Sequence, residues 1–282
     1  MVGKTIKKWW PIFVVPTLAA FIIGFLWPFI WGIYLSFCKF TTVQDVTFVG
    51  FSNYQKILLD NTFSHAFWLT VAFAFISSIL INVLAFAIAL ALTKGFKGTN
   101  AFRTVFFMPN LSGGIVLGYI WQTLLNGLLS KWGQPLLALS AKNGFIGMLI
   151  LLCWQQIGYM MIIYISGIQN IPGELIEAAK IDGANSRQIL KNVTIPMVMP
   201  SITICTFLTL TNGFKLFDQN LALTDGAPSK MSEMLALNIY NTFYGRTGYE
   251  GVGQAKAVLF FILVAAIAIT QNILTRTKEV QQ

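Results

Sequence analysis

Residues 66–93 form a long stretch without a charged side chain. It reads Ala66-Phe-Trp-Leu-Thr-Val-Ala-Phe-Ala-Phe-Ile-Ser-Ser-Ile-Leu-Ile-Asn-Val-Leu-Ala-Phe-Ala-Ile-Ala-Leu-Ala-Leu-Thr93. A helix needs about 20 mostly apolar residues to cross the hydrocarbon core of a bilayer, and this stretch exceeds that length. Its few hydroxyl and amide side chains can bond to the helix backbone or to a neighbouring helix. The stretch therefore predicts a transmembrane helix.

Five further stretches have the same character and share the absence of charge. They are Trp9–Cys38, Thr104–Ser130, Asn143–Gly173, Asn192–Phe214 and Ala257–Thr275. We expect an all-α membrane protein in which a single domain, residues 1–282, has six transmembrane helices. The predicted spans are residues 11–37, 66–92, 104–126, 145–169, 197–218 and 256–275. Gly113-Gly114 and Asn126-Gly127 are expected to interrupt the third stretch.

The composition excludes several classes of protein. Of the 282 residues, 56% are hydrophobic and only 10% are charged, whereas soluble domains carry about 25% charged residues. A soluble globular protein and a disordered chain are therefore both excluded. The single histidine, His65, rules out histidine-cluster metal sites. The three cysteines are widely spaced in or beside apolar runs, so they are expected to be small core residues.

The net charge of +9 indicates membrane topology and not a nucleic-acid partner, because the basic residues cluster between apolar runs. Compact clusters occur at Lys4, Lys7 and Lys8 and within 94–103, which includes Lys97. They favour a cytoplasmic N-terminus, and six spans then place the C-terminus, with Lys278, on the same side. The first apolar run is too long for a cleaved signal peptide, so we expect it to be a retained anchor.

The connection between the fourth and fifth spans, residues 172–196, predicts a compact helix–turn–helix on the cytoplasmic face. Pro172 and Glu174 suit the first turn of a helix, and Gly183 suits its C-terminal cap. Asn185 or Ser186 can cap a second short helix that ends before Pro196. Such a unit is small enough to enter a groove on a partner.

The connection between the last two spans, residues 219–255, is predicted to be external. Its turn-rich Leu223–Pro228 segment precedes Met231–Tyr244, where apolar residues recur at helical spacing. We expect a helix in that second segment, at the outer membrane interface.

Catalytic signatures are absent from the sequence. It contains no GxxxxGK[ST], GxSxG or HExxH motif, and no acidic pair with a histidine lies inside an apolar run. The chain is therefore not expected to be an enzyme, nor to power transport by itself.

Three segments resemble those of a known family. Glu177-Ala-Ala-x-x-Asp-Gly-Ala184, continuing to Pro196, resembles the EAA signature of binding-protein-dependent ABC importer permeases. Leu223-Thr-Asp-Gly-Ala-Pro228 and the helix after it resemble the segment that marks carbohydrate permeases. Phe48-Val-Gly-Phe-Ser-Asn-Tyr54 resembles a segment that follows the first span in one of the two partner permeases, the one akin to the larger permease of the maltose transporter. Ala227 and Leu190 depart mildly from the usual residues at their positions.

The resemblance implies the type I ABC importer permease fold in a bacterial cytoplasmic membrane. The implied partners are a homologous second permease, two cytoplasmic P-loop ATPases and an extracytoplasmic solute-binding protein that delivers sugar. ATP and Mg²⁺ would be used by the ATPases, with no cofactor bound by this chain. The implied ATPase-coupling residues are Glu177, Ala178, Ala179, Asp182, Gly183, Ala184, Leu190 and Pro196.

Sugar contacts are expected on the fourth and fifth spans, where the family has them. Aromatic faces stack on sugars and amides bond to hydroxyls, and buried amides should face a cavity and not lipid. The candidates are Trp154, Gln155, Gln156, Tyr159, Asn212, Lys215 and Asp218. Lys215 and Asp218 would share one helical face and could pair. For Asn82 we expect a helix–helix hydrogen bond.

Alternatives to a sugar importer remain open at this point. An ABC permease could carry another solute, such as an amino acid, a metal or a sugar phosphodiester. A secondary transporter or channel would need no ATPase, and a structural scaffold would transport nothing. Because no basic cluster lies in a span, the sequence favours a neutral di- or oligosaccharide.

Overall fold

The computed structural model describes residues 2–42, 44–95 and 98–276, with only the backbone given for 2–8 and 274–276. Lys97 and Lys278 were used to predict the membrane orientation, and both lie outside the described residues. The side chains of Lys4, Lys7 and Lys8 also lie outside them. The chain is mostly helical and separates into two compact units. One unit comprises the residues up to Asp60 together with Ile239–Phe261, and the other comprises the remaining residues.

The first unit begins with a nearly continuous helix. Helix α1 (Val2–Phe21) passes through a π-helical turn (Ile22–Leu26) into α2 (Trp27–Ser36). A short antiparallel pair follows, made of β1 (Cys38–Lys39) and β2 (Thr47–Phe48), and then α3 (Ser52–Leu58). The buried Asn53 joins these elements, since its amide donates to the carbonyl oxygens of Ser36 at 2.9 Å and Cys38 at 2.8 Å.

The second unit is built around three long helices that pack against one another: α4 (Asn61–Leu92), α7 (Ala141–Gln169) and α11 (Met199–Phe214). Their contact surfaces are apolar, with Phe73, Met160 and Cys205 fully buried. Small residues permit the close approach of α11 to α4, because a Cβ on Gly213 would lie 2.8 Å from the Cα of Ala74.

The third apolar stretch forms two helices and not one. Helix α5 (Thr99–Phe107) and a 3₁₀ turn (Met108–Leu111) are followed by α6 (Gly114–Lys131), at an angle of 103°. Pro109 lacks a backbone donor, and Gly113 is extended, so the helix stops here as the glycine pair predicted. The second predicted interruption is wrong, because α6 continues through Asn126-Gly127. Another 3₁₀ turn (Leu137–Leu139) leads into α7.

A second bend precedes α11. Helix α8 (Gly173–Ile181) is followed by α9 (Ser186–Ile189), a π-helical turn (Leu190–Thr194) and α10 (Ile195–Met197). The axis then turns by 69° at Val198. Pro200 occupies the first turn of α11, where its missing N–H has no intrahelical partner to lose.

Three helices complete the chain: α12 (Asp218–Leu223), α13 (Leu235–Gly245) and α14 (Glu250–Arg276). The helix expected within Met231–Tyr244 is therefore present from Leu235 onward. The helix of the sixth predicted span begins at Glu250, several residues before the expected 256. Lys256 does not mark the end of this helix, since it is buried inside the protein. Its Nζ donates to Asp60 Oδ2 at 2.7 Å and to Thr242 Oγ1 at 2.9 Å, all within the first unit.

Within the described residues, four helices are long and apolar enough to cross a membrane. The number rises to six if each bent pair counts as one span. A six-span chain therefore requires that α5–α6 and α9–α11 are each a single broken span. Helical breaks at membrane depth are tolerated where protein or a water-filled cavity supplies partners for the freed backbone groups.

Candidate functional site

A polar cavity of about 290 Å³ lies within the second unit, between α7 and the segment that joins α11 to α12. Its lining combines amides, one lysine and one aspartate with three apolar side chains. The lining residues are Asn110, Leu152, Gln155, Gln156, Asn212, Lys215, Leu216, Phe217, Asp218 and Gln219. Five of the seven predicted sugar contacts are thus brought together, and their role in binding sugar stays a prediction.

Amide-to-amide hydrogen bonds organise the cavity wall. Gln219 Nε2 donates to Gln155 Oε1 at 2.7 Å, and Gln155 Nε2 donates to the carbonyl oxygen of Ser112 at 3.2 Å. A second pair joins Asn212 Nδ2 to Gln156 Oε1 at 3.3 Å. Because each buried amide has a protein partner, the desolvation penalty of placing polar groups among these helices is offset.

The cavity exists because the helix predicted for 197–218 ends early. Helix α11 stops at Phe214, and α12 begins at Asp218 after a non-helical Phe217. The predicted pairing of Lys215 with Asp218 on one helical face is therefore wrong. Among the described side chains, these two form no ion pair within 4.0 Å. The interruption instead directs both charged residues into the cavity lining.

The two predicted aromatic contacts lie elsewhere. Trp154 is 42% exposed and packs its ring against Trp121, with centroids 5.2 Å apart. Tyr159 is 38% exposed and lies near Phe107. Neither side chain lines the polar cavity. On α7, Trp154 precedes Gln155 by one residue and therefore points to a different side of the helix. Tyr159 lies one turn after Gln155 and Gln156, on the same face, but its ring lies beside Phe107 and not in the cavity lining.

Five members of the lining were not among the predicted contacts: the amides Asn110 and Gln219, and the apolar Leu152, Leu216 and Phe217. Asn110 lies in the 3₁₀ turn before α6, and Phe217 and Gln219 flank Asp218. Gln219 follows the predicted contact Asp218. It could have been proposed as a lining residue only if α11 had been known to end at Phe214. Asn110 follows Pro109, and proline is typical of turns and helix ends.

Close packing of α6 on α12 sets the position of Asp218 and Gln219. A Cβ added at Gly114 would lie 2.7 Å from the Cβ of Asp218, and one at Gly118 would lie 2.4 Å from the Cβ of Ala222. Glycines one helical turn apart thus allow the two backbones to approach, as small residues do in membrane helix pairs. Gln122, one turn further along α6, donates its amide hydrogen to the Leu223 carbonyl at 3.0 Å.

The segment after α12 is held in place by hydrogen bonds to Asn220, which is fully buried. Its Oδ1 accepts from the backbone N–H of Met234, and its Nδ2 donates to the carbonyl of Ser232, both at 2.8 Å. Thr224 Oγ1 also accepts from Nδ2, at 3.1 Å. These bonds close the Thr224–Met234 loop, whose Ala227–Pro228 peptide is cis.

A buried polar network crosses the helices of the second unit, as expected for Asn82. Its Oδ1 accepts from Tyr164 Oη at 2.6 Å, and its Nδ2 donates to Thr209 Oγ1 at 2.8 Å. The amide therefore links α4 to α7 and α11. The prediction of a helix–helix role for Asn82 is confirmed.

The candidate coupling loop is closed by its own hydrogen bonds. Gly183 adopts φ +79°, its N–H donates to the Lys180 carbonyl, and the Ala184 N–H donates to the Ala179 carbonyl. Asn185 caps α9 through a reciprocal capping box with Gln188. The predicted turn at Gly183 and the predicted cap at Asn185 are both confirmed.

The surface of α8 is open. Among its described residues none is buried, and Leu175 and Ile181 are 41% and 86% exposed. Glu177, Ala178 and Asp182 are also exposed, while Ala179 and Ala184 are half-buried.

The second helix of this loop does not end before Pro196, contrary to prediction. The backbone N–H of Ile195 donates to the carbonyl of Leu190, which is the wider spacing of a π-helical turn. Proline clashes with the carbonyl four residues earlier in a regular α-helix, and the wider turn relieves that clash. The helix therefore continues through Met197 and bends at Val198.

Comparison with protein families gives one match across most of the chain. The model for the binding-protein-dependent transport system inner membrane component matches residues 81–279. These residues include the polar cavity and the loop of α8 and α9.

Two relatives match along nearly their whole length. The probable starch degradation products transport system permease protein AmyD of Thermoanaerobacterium thermosulfurigenes is 42% identical, over 97% of this chain and 96% of its own. The multiple sugar-binding transport system permease protein MsmF of Streptococcus mutans is 31% identical, over 99% of each chain.

The fold is also similar to that of a solved structure. A chain of a bacterial ABC transporter that imports the acidic polysaccharide alginate superposes with a TM-score of 0.83. The match covers 98% of both chains at 20% sequence identity. The arrangement of helices is therefore one already seen in ABC importer permeases.

Proposed function

Because the chain belongs to the family of binding-protein-dependent transport system inner membrane components, we propose that it is the permease subunit of an ATP-driven sugar importer. The family membership and the apolar helices make it a multi-pass membrane protein. AmyD is named for the transport of starch degradation products and MsmF for a multiple sugar-binding transport system, which supports a sugar as the solute. We place the chain in the bacterial cytoplasmic membrane with both termini in the cytoplasm.

The observation that carries the choice of solute is the polar cavity. Its described lining holds one cation, Lys215, and one anion, Asp218, so its formal charges cancel. The other polar groups are amides, which can donate to and accept from sugar hydroxyls. This chemistry favours a neutral di- or oligosaccharide. A sugar phosphodiester or a non-sugar solute is the alternative, and Lys215 is the residue that would serve a phosphate.

The assembly we propose contains a homologous second permease, two cytoplasmic P-loop ATPases and an extracytoplasmic solute-binding protein. The ATPases use ATP and Mg²⁺, and this chain binds neither. The family name itself specifies a binding protein. The second permease and the ATPases rest on the resemblance of the 177–196 segment to the EAA signature.

We assign coupling to the exposed unit formed by α8 and α9. A ligand shifts a conformational equilibrium only through different contacts in the two states, so the ATPase must grip something that protrudes. Ile181 and Leu175 provide an apolar surface for a cleft, and Glu177 provides a charge for a basic partner. The caps at Gly183 and Asn185 keep this unit rigid, so that motion is transmitted and not absorbed.

Uptake by the reconstituted importer tests the solute. The chain is expressed with its genomic neighbours, purified in mild detergent and placed in vesicles that contain ATP. Uptake of maltotriose, glycerol 3-phosphate and an alginate trisaccharide is then compared. We expect maltotriose to accumulate and the two anionic solutes to be excluded. Accumulation of an anionic solute alone, or purification of the chain without an ATPase, would contradict the proposal.

A pair of substitutions at Gly183 tests coupling. Its φ of +79° is accessible to asparagine but strained for a β-branched residue, and no atom lies within 4 Å of the added Cβ. Gly183→Asn should therefore retain the ATPase, whereas Gly183→Val should lose its association or its stimulation of ATP hydrolysis. Equal stimulation in the two variants would show that the turn does not carry coupling.

A further inference from the structure

The hydrogen bonds at the cavity have a fixed direction. The Ser112 carbonyl can only accept, so the Gln155 atom that faces it at 3.2 Å must be the amide nitrogen. Oxygen and nitrogen of an amide are distinguished by such partners. Gln155 therefore presents its oxygen to Gln219, and Gln219 must use its own nitrogen to donate across 2.7 Å. The order of donation runs from Gln219 to Gln155 to Ser112.

This direction leaves the two glutamines in different situations. Gln155 is 9% exposed, and both ends of its amide are engaged by protein. Gln219 is also mostly buried, but its nitrogen alone is engaged. Its Oε1 accepts from no described protein group and belongs to a residue of the cavity lining. An acceptor with an unused lone pair at a polar cavity is suited to a hydroxyl donor.

We propose that Gln219 is a specificity-determining residue of the transport path, whose Oε1 accepts a hydrogen bond from a sugar hydroxyl. Gln155 is then a positioning residue, which holds the Gln219 amide in the orientation that presents this oxygen. The assignment rests on the proposed sugar-importer function. It reverses the sequence-based expectation that Gln155 itself contacts the sugar.

The size of the effect follows from a single neutral hydrogen bond. Such a bond changes an equilibrium by roughly 3- to 10-fold. The binding protein sets the sugar concentration for half-maximal uptake. Loss of the hydrogen bond to Gln219 should therefore lower the rate of sugar transport at saturating sugar. ATP hydrolysis that continues without productive sugar transfer would lower the sugar moved per ATP by the same factor.

The experiment uses the full importer in vesicles, with saturating maltotriose-loaded binding protein, and measures maltotriose moved per ATP hydrolysed. The variants are Gln219→Met, Gln155→Met and the double variant. Gln219→Met should lower the ratio roughly 3- to 10-fold. Gln155→Met should lower it by a similar or smaller factor. The double variant should match Gln219→Met alone, because Gln155 acts only through Gln219.

The matched control is Gln122→Met, which removes an amide hydrogen bond between α6 and α12 outside the cavity lining. It should keep the wild-type ratio, whereas a fall equal to that of Gln219→Met would show that loosening α12 is sufficient and overturn the assignment. Multiplicative losses in the double variant would show that Gln155 contacts sugar directly and would also overturn it. Accumulation of glycerol 3-phosphate alone by the wild-type importer would instead contradict the sugar-importer function, and with it this assignment.

Discussion

The contact between Gly118 and Ala222 provides a quantitative test of how α12 is held. An alanine Cβ at position 118 would lie 2.4 Å from the Cβ of Ala222, whereas two carbons pack best at about 3.5–4.0 Å. Gly118→Ala therefore requires α12 to retreat by about 1 Å or more. Gly127→Ala is the matched control, because it lies in the same helix with no atom within 4 Å of its added Cβ.

The two variants share the helix-propensity gain of about 1 kcal/mol from glycine to alanine. Their difference therefore isolates the packing term, which is about 1–3 kcal/mol for an overfilled contact. At about 2–4 °C per kcal/mol, the apparent melting temperature of Gly118→Ala should lie about 2–12 °C below that of Gly127→Ala. Thermal denaturation of the purified importer in detergent measures this difference.

The same displacement should impair transport. Gln219 lies on α12, and moving it by about 1 Å lengthens its 2.7 Å bond to Gln155 beyond hydrogen-bonding distance. Ala222→Gly in the Gly118→Ala background restores space and should recover sugar uptake. Equal stability of Gly118→Ala and Gly127→Ala, with normal uptake in both, would refute the view that this close contact positions the cavity residues.

Two further predictions concern buried polar groups. Asp60→Asn should destabilise the protein more than Lys256→Met does. The first variant leaves Lys256, whose side chain is 1% exposed, without its carboxylate, which costs about 3–5 kcal/mol. The second leaves Asp60, which is 23% exposed and can be rehydrated. Melting of the two variants in detergent checks the order, and the reverse order would contradict it. Asn220→Leu should leave the Met234 N–H and the Ser232 carbonyl unpaired, at about 1–3 kcal/mol each. Limited proteolysis should then cut the Thr224–Met234 loop, and resistance equal to wild type would count against the anchoring role.

Local signals in the sequence were sufficient for the long helices and for the turn at Gly183. A run of apolar residues needs no distant partner to be identified, and positive φ at glycine follows from its missing Cβ. The burial of Lys256 was not predicted, because it depends on a residue far away in the sequence. A lysine normally marks the end of a span, but this one is buried because Asp60 pairs with it from 196 positions away. Nothing near Lys256 in the chain indicates that pairing.

The cavity shows a similar limit. Gln155, Gln156 and Asn212 could be proposed because buried amides need polar surroundings. Lys215 and Asp218 were proposed from the family resemblance, and only their pairing assumed a continuous helix, which was wrong. Gln219 was missed because its significance lies in a bond to a residue 64 positions earlier, on a helix whose register the local sequence does not reveal.

The hydrogen bonds that run from Gln219 to Gln155 to Ser112 also have a consequence for the synthesis of the protein. Ser112, at the break between α5 and α6, is made 43 residues before its partner Gln155, and Gln155 is made 64 residues before Gln219. At about 5–20 residues per second, the Ser112 carbonyl waits roughly 2–9 s for its donor. During that interval water or the insertion machinery must satisfy it, because lipid cannot. The cavity wall is thus completed from its C-terminal side, with Gln219 arriving last.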